Sequence, residues 1–187
     1  MSGRLTPKER VKIPRQTMPE QEPTSRRHNF QEVNLGLAAN LAATEASRCI
    51  ACADPKCVKG CPVGVKVREF VELVEQGDYK AAAAKMREDN VLPAVTGRVC
   101  PQEDQCEGAC VMHKEGRHAI EIGRLQRYAT DRGLATGSLP RQAKATGGKV
   151  AVVGAGPAGL ACASELARKG HAVTVFEKRD LPGGLVT

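Results

Sequence analysis

Residues 48–62 read RCIACADPKCVKGCP. Cys49, Cys52, Cys57 and Cys61 fall within thirteen residues, and Pro62 follows the last. Thiols this close can form disulfides, hold a zinc ion, or hold iron and sulfide. A second group follows in the pattern C-P-x4-C-x3-C, made of Cys100, Cys106 and Cys110. The choice among the three chemistries decides the fold, because the rest of the chain offers a thin core. Aromatic residues are 3% of 187, Trp is absent, and the 41% apolar content is mostly Ala, Val and Leu. A small domain of this composition gains from an inorganic staple.

The compartment narrows the choice. MSGRLTPKERVKIPRQ, residues 1–16, has no apolar run fit for a signal peptide. No stretch reaches the roughly 20 apolar residues of a membrane span. The expected location is a reducing cytoplasm, where clustered cysteines bind metal or do redox chemistry more often than they form structural disulfides. Cys162 stands apart from the seven, in a later helix, and reads as a buried, inert thiol.

Spacing separates the metals. The first group is C-x2-C-x4-C-x3-C-P. The bacterial ferredoxin run is C-x2-C-x2-C-x3-C-P, and there the cysteine before proline reaches across to a second cluster. The x4 gap departs from that run, whereas the closing x3-C-P is the same. Structural zinc usually takes two well-separated C-x2-C knuckles, and only Cys49 and Cys52 form one. A zinc-stapled interaction module is the alternative reading. A thiol–disulfide protein using Cys49 and Cys52 would leave five cysteines unexplained. Two four-iron clusters need eight ligands, so one is missing from the seven cysteines. His113, His118, Glu121 and Gln126 are the candidates, and chemistry alone favours a histidine.

Around the cysteines the chain reads as helices. Residues 1–27 carry four prolines and many charges, an extended basic arm that could wrap a neighbouring subunit. A helix is predicted from Asn34 to Arg48. Val67, Phe70, Val71 and Val74 recur at helical spacing, Gly77 ends that helix, and Asp78 caps the next. NVLPAVTGRVCP, residues 90–101, reads as irregular. A last helix covers about Ile120 to Arg132, with Ile122, Leu125 and Tyr128 on one face. The domain expectations are the arm at 1–27, a helical domain at 28–132, a Gly-, Thr-, Ser- and Pro-rich linker at 133–148, and a nucleotide-binding start at 149–187.

That last unit rests on GAGPAG, residues 154–159, between an apolar strand KVAVV and a helix, with a second strand AVTVF ending at Glu177. Gly154 permits the tight turn, Gly156 lets a pyrophosphate approach, and Gly159 lets helix and strand pack closely. The first helical turn, with Pro157 and Ala158, points N–H groups at the phosphates. Glu177, with Lys178 beside it, meets the ribose hydroxyls. The chain ends ten residues after Glu177, so the nucleotide domain reads as truncated and the chain alone as inactive toward NAD(P)H. No acid–base or nucleophilic catalytic group stands out. The net charge of +7 and pI near 9.1 favour an acidic partner. Nucleic acid is disfavoured by the few aromatics and the lack of a Lys/Arg tract.

The motifs RCIACADPKCVKGCPVGV, DNVLPAVTGRVCPQEDQCEGAC, IEIGRLQRYATD and KVAVVGAGPAGLACASELARKGHAVTVFEKRDLPGGL occur in this order. In order and spacing they resemble the N-terminal part of the glutamate synthase small (β) subunit family. Relatives of that family are the large subunit of NADH-dependent ferredoxin:NADP oxidoreductase and the N-terminal region of dihydropyrimidine dehydrogenase. The resemblance implies a mostly helical domain with two [4Fe–4S] clusters, followed by the first βαβ of a Rossmann-like FAD domain. It places Cys49, Cys52, Cys57 and Cys110 on one cluster. It places Cys61, Cys100 and Cys106 on the other, with Gln126 as the eighth ligand in GRLQR. It also implies FAD on the GAGPAG turn, with Glu177 on the adenosine ribose and Gly183 and Gly184 passing close to the cofactor. In the whole enzyme NAD(P)H would reduce FAD, and the clusters would pass single electrons to a second oxidoreductase subunit or an acidic carrier such as ferredoxin, in an oligomeric assembly.

Overall fold

The computed structural model describes residues 5–133 and 143–186. Two single-turn helices, α1 (Pro7–Arg10) and α2 (Pro23–Arg26), lie in the arm. Then come α3 (Ala39–Ser47), α4 (Lys56–Lys59), α5 (Val67–Glu75), α6 (Tyr79–Met86), α7 (Pro93–Val99) and α8 (Ile122–Gly133). Two 3₁₀ turns, Gln102–Asp104 and Val111–Glu115, separate α7 from α8. The final unit is β1 (Lys149–Val153), α9 (Pro157–Arg168), β2 (Ala172–Phe176) and a 3₁₀ turn at Gly184–Val186. The fold is therefore mostly helical with a βαβ unit at its end, as the motifs imply.

The hydrophobic period sets the core. Val67, Phe70, Val71 and Val74 are all buried on α5. Gly77 takes a left-handed φ of +79° just past the helix, which glycine tolerates without a Cβ clash. Asp78 then caps α6, its carboxylate accepting from the Ala81 N–H at 2.9 Å. Such a cap contributes about 1 kcal/mol. The hairpin packs on α8, whose Ile122, Leu125, Tyr128 and Ala129 are buried. α8 touches α3, α5, α6 and α7, so it is the post around which the domain is built.

Three predicted features differ. The helix expected from Asn34 starts at Ala39. Residues before it pair with the arm instead: Leu35 N–H donates to Pro19 C=O and Gln21 N–H to Val33 C=O, both at 2.8 Å. Gly36 then turns the chain with φ +82°. Second, residues 93–99, read as irregular, form α7. Pro93 occupies its first turn, where a missing N–H costs nothing. Gly97 is there because α7 crosses α8 closely, and a Cβ at Gly97 would sit 3.0 Å from the Arg127 nitrogen. Third, Cys162 is exposed rather than buried. Ala163 is the buried residue of α9, and its neighbour is rotated off the covered face by about 100°.

The arm lies on the chain's own helices, where the sequence reading allowed a neighbouring subunit. Arg10 is buried and donates to the carbonyls of Ser47 and Cys49 at 2.9 and 3.0 Å. It also forms a two-pronged ion pair with Glu75 at 2.7 and 3.0 Å. Gln16 N–H donates to Glu45 at 2.8 Å, and Arg48 donates to Ile13 C=O at 3.2 Å. The linker expected at 133–148 falls largely on residues 134–142, outside the described residues. Beyond them β1 and β2 pair in parallel, Val150 opposite Val173 and Val152 opposite Val175. Among the described residues no helix is long and apolar enough to cross a membrane.

Candidate functional site

The cysteines line two separate cavities. Cys49, Cys52, Cys57 and Cys110 surround one, which is otherwise mostly apolar through residues such as Ile50, Val71, Met112 and Ile120. Cys61, Cys100, Cys106 and Gln126 line the other, with Val65, Asn90, Thr96 and Ile122. The geometry behind this division is a pair of crossed segments. Cys57 and Cys61 are four residues apart across α4, yet they serve different cavities. Cys106 and Cys110 have the same spacing and are divided the same way. Gly60 lets the two segments meet. A Cβ there would stand 2.7 Å from the Gln105 carbonyl oxygen and 2.8 Å from the Ala109 Cβ.

Backbone strain marks the first loop. Ala51 has φ +51°, and it is the one non-glycine among the described residues with positive φ. This conformation costs an L-residue about 1–2 kcal/mol. The Ala51 backbone is also the first influence that lowers the Cys49 thiol against the rise imposed by burial. Hydrogen bonds to sulfur tune cluster chemistry.

Electrostatics groups the thiols in the same way. Burial pushes Cys57 up to about 12, and the nearby thiols Cys49 and Cys110 add to it. Burial likewise pushes Cys106 up to about 12, followed by the Glu107 carboxylate and then Cys61. Cys49, Cys52 and Cys100 are also raised, with burial the largest cause. Thiols of this kind become thiolates at neutral pH only against a bound metal centre, and ligation then releases their protons.

The donor set fits iron–sulfur ligation. Thiolates around a cavity are the chemistry of [4Fe–4S] sites. A zinc ion would need its ligands drawn to about 2.0–2.3 Å from one point. Of the candidates for an eighth ligand, His113 and His118 are exposed and line neither cavity. Glu121 is buried and paired with Arg15 and Arg124, on a different cleft. Gln126 alone of the four lines the cavity of Cys61, Cys100 and Cys106. Its Nε2 donates to Pro93 C=O at 2.8 Å and to Thr96 Oγ1 at 2.6 Å. Sequence reasoning missed Thr96 and Asn90, because nothing local ties them to a residue some thirty positions away.

The Gly-rich turn is also formed. Gly154 has φ +99°. A Cβ on Gly159 would fall 1.9 Å from the Gly154 oxygen, whereas one on Gly156 would meet nothing within 4 Å. So Gly159 is required for packing, and the backbone at Gly156 is open to a ligand. Pro157 and Ala158 are exposed in the first turn of α9. Glu177 accepts from the N–H groups of Ala155, Lys178 and Arg179 at 2.7, 2.9 and 3.0 Å. These bonds, Ala155 first, hold its carboxyl below the usual range. A carboxylate has about four acceptor positions, so a ribose hydroxyl can still be received. Gly183 N–H donates to Ala155 C=O at 2.8 Å, and Gly184 lies against Gly156, 3.1 Å from a built Cβ. The glycine pair therefore meets the phosphate turn itself.

Residues 26–138 match the family described as dihydropyrimidine dehydrogenase domain II, 4Fe-4S cluster, and residues 152–187 match the NAD(P)-binding Rossmann-like domain. The chain is similar to the glutamate synthase [NADPH] small chain of Escherichia coli (strain K12), 40% identical over 164 residues, covering 87% of this chain and 34% of that protein. The glutamate synthase [NADPH] small chain of Halomonas elongata is 41% identical over 172 residues, covering 90% of this chain and 36% of that one. The NAD-dependent dihydropyrimidine dehydrogenase subunit PreT of Escherichia coli (strain K12) is 41% identical over 157 residues, covering 83% and 38%. The chain thus spans about a third of the length of these relatives.

Proposed function

The chain belongs to the dihydropyrimidine dehydrogenase domain II 4Fe-4S family, and from that premise we propose that it is the electron-transfer segment of an NAD(P)H-dependent FAD and iron–sulfur oxidoreductase of the glutamate synthase small-subunit type. The observation that carries the reading is the division of seven cysteines and Gln126, four and four, between two cavities. Cys49, Cys52, Cys57 and Cys110 would hold one [4Fe–4S] cluster; Cys61, Cys100, Cys106 and Gln126 would hold the other. When bound, the clusters supply one-electron transfer, and FAD supplies the exchange between a hydride pair and single electrons.

The chain's own residues do the rest. Ile50, Val71, Met112 and Ile120 give the first cavity an apolar lining. The Ala51 backbone opposes the rise that burial imposes on the Cys49 thiol. Arg10 fixes the Cys49 carbonyl from the arm side. Gly156 gives a pyrophosphate access to the backbone, with Pro157, Ala158 and Gly159 forming the helix start. Glu177 receives the adenosine ribose, with Lys178 next to it, and Gly183 and Gly184 close the turn from the far side. The units would be the arm at 1–27, the iron–sulfur domain at 28–132, a linker at 133–148 and the FAD-domain start from 149. The partner would be a second oxidoreductase subunit or an acidic carrier such as ferredoxin, met in the cytoplasm within an oligomer; the net charge of +7 supports it.

The test is anaerobic metal and sulfide analysis of protein purified without reconstitution. About eight irons with matching acid-labile sulfide per chain is the expected result. Stoichiometric zinc without sulfide would overturn the reading in favour of a zinc-stapled interaction module.

A further inference from the structure

We infer that Thr96, backed by Asn90 and aided by the Pro93 carbonyl, positions Gln126 so that its amide oxygen faces the second cluster site. This rests on the reading of Gln126 as the eighth ligand.

A glutamine side chain has two unlike ends, an oxygen that only accepts and a nitrogen with two donors. Pro93 C=O can only accept, so the Gln126 atom 2.8 Å from it must be the nitrogen. The second amide hydrogen goes to Thr96 Oγ1 at 2.6 Å. Both donors are thereby spent on α7, and the oxygen is the end that remains for the cavity shared with Cys61, Cys100 and Cys106.

The orientation of Thr96 is itself fixed. Its hydroxyl accepts from Asn90 Nδ2 at 2.7 Å and donates to Leu92 C=O at 3.2 Å. Asn90 cannot flip without loss, because its Oδ1 accepts from the Leu92 N–H at 3.0 Å. The relay runs from a backbone donor, Leu92 N–H, to a backbone acceptor, Pro93 C=O. Every link between them has one allowed direction. Gln126 is 9% exposed, so water is a poor substitute for any link. The relay also selects an amide over a carboxylate. A glutamate at 126 would set an acceptor against the Pro93 carbonyl, with no hydrogen between them. Outer partners of this kind orient a ligand and tune the metal it holds.

The experiment uses the full chain, purified anaerobically, with electron paramagnetic resonance of the reduced protein, a potentiometric titration and the rate of iron loss to a chelator. Thr96→Val keeps the shape of the side chain and removes the acceptor. It is expected to change the second-cluster signal and to speed loss of its iron by about ten-fold, with Thr96→Ser restoring both. Gln126→Ala reports separately on the ligand assignment. An unchanged signal in Gln126→Ala would overturn the ligand reading and the relay with it. A changed signal there, with Thr96→Val indistinguishable from wild type, would overturn the relay alone. Should Thr96→Val fail to fold, Asn90→Ala decides: a change in the same signal supports the relay, and wild-type behaviour refutes it.

Discussion

Arg10 is the most consequential side chain of the arm, and Arg10→Ala shows how much the arm contributes. Arg10 is 3% exposed. It donates to Leu5, Ser47 and Cys49 carbonyls and twice to Glu75. Removing it leaves the Ser47 and Cys49 carbonyls short of a donor and Glu75 without its cation. Breaking a buried ion pair from one side costs roughly 3–5 kcal/mol. Glu75 keeps 25% of its side-chain surface in water, so the lower half of that range, about 3 kcal/mol, is the expected loss. Arg10→Lys retains the charge but not the fork that serves carbonyls and carboxylate together, and should recover less than half. The assay is anaerobic urea unfolding of the full chain as purified, without chelator, paired with amide exchange at residues 47–52. Exchange there should accelerate along with the fall in midpoint. A loss under about 1 kcal/mol, the scale of an exposed ion pair, would refute the argument that the arm is a structural part of the domain.

Other outcomes follow from single contacts. Gly60→Ala places a methyl group 2.7 Å from a backbone oxygen and 2.8 Å from the Ala109 Cβ; it should cost about 1–3 kcal/mol and lower iron content, read by thermal unfolding and metal analysis. Ala51→Gly relieves a left-handed φ worth about 1–2 kcal/mol but loosens the unfolded chain by about 0.4–1 kcal/mol, so a small gain in urea midpoint is expected, whereas Ala51→Val should lower it. Glu32 is held below the usual carboxylate range first by its hydrogen bond from Arg98, and Arg127 also attracts it. A lowered native pKa means that the ion pair's contribution is intact above 4.5 and is lost as pH falls below it. Amide protection at residues 30–36, after correction for the pH dependence of intrinsic exchange, should therefore be steady from pH 7 to 5 and fall only in stronger acid.

Much of the helical frame was legible because its signals are local. Val67, Phe70, Val71 and Val74 announce a buried helical face, and Gly77 with Asp78 announces where one helix stops and the next starts. The βαβ unit was legible for the same reason, since strand, glycine turn and helix are contiguous. α7 was not, because Val95, Thr96, Gly97 and Val99 are weak helix formers. Only the crossing with α8, invisible along the sequence, explains why glycine is needed there. The cysteine site was legible in part. Spacing marked all seven residues as candidate ligands, but the grouping came from the resemblance. An i,i+4 pair such as Cys57 and Cys61 gives no hint that its members line different cavities. The support for Gln126 was illegible altogether, since Pro93 and Thr96 reach it through the tertiary fold.

The crossed arrangement of Cys57–Cys61 and Cys106–Cys110 makes the two cavities share their walls. With both proposed sites filled, each short segment would be stapled at one end by one site and at the other end by the second. On the proposed ligand sets, ligating one site would deliver two thiols, in place, to its neighbour, and stripping it would slacken both crossbars at once. Assembly should then run as a single concerted event. During loading, molecules holding one cluster should stay scarce beside those holding two or none.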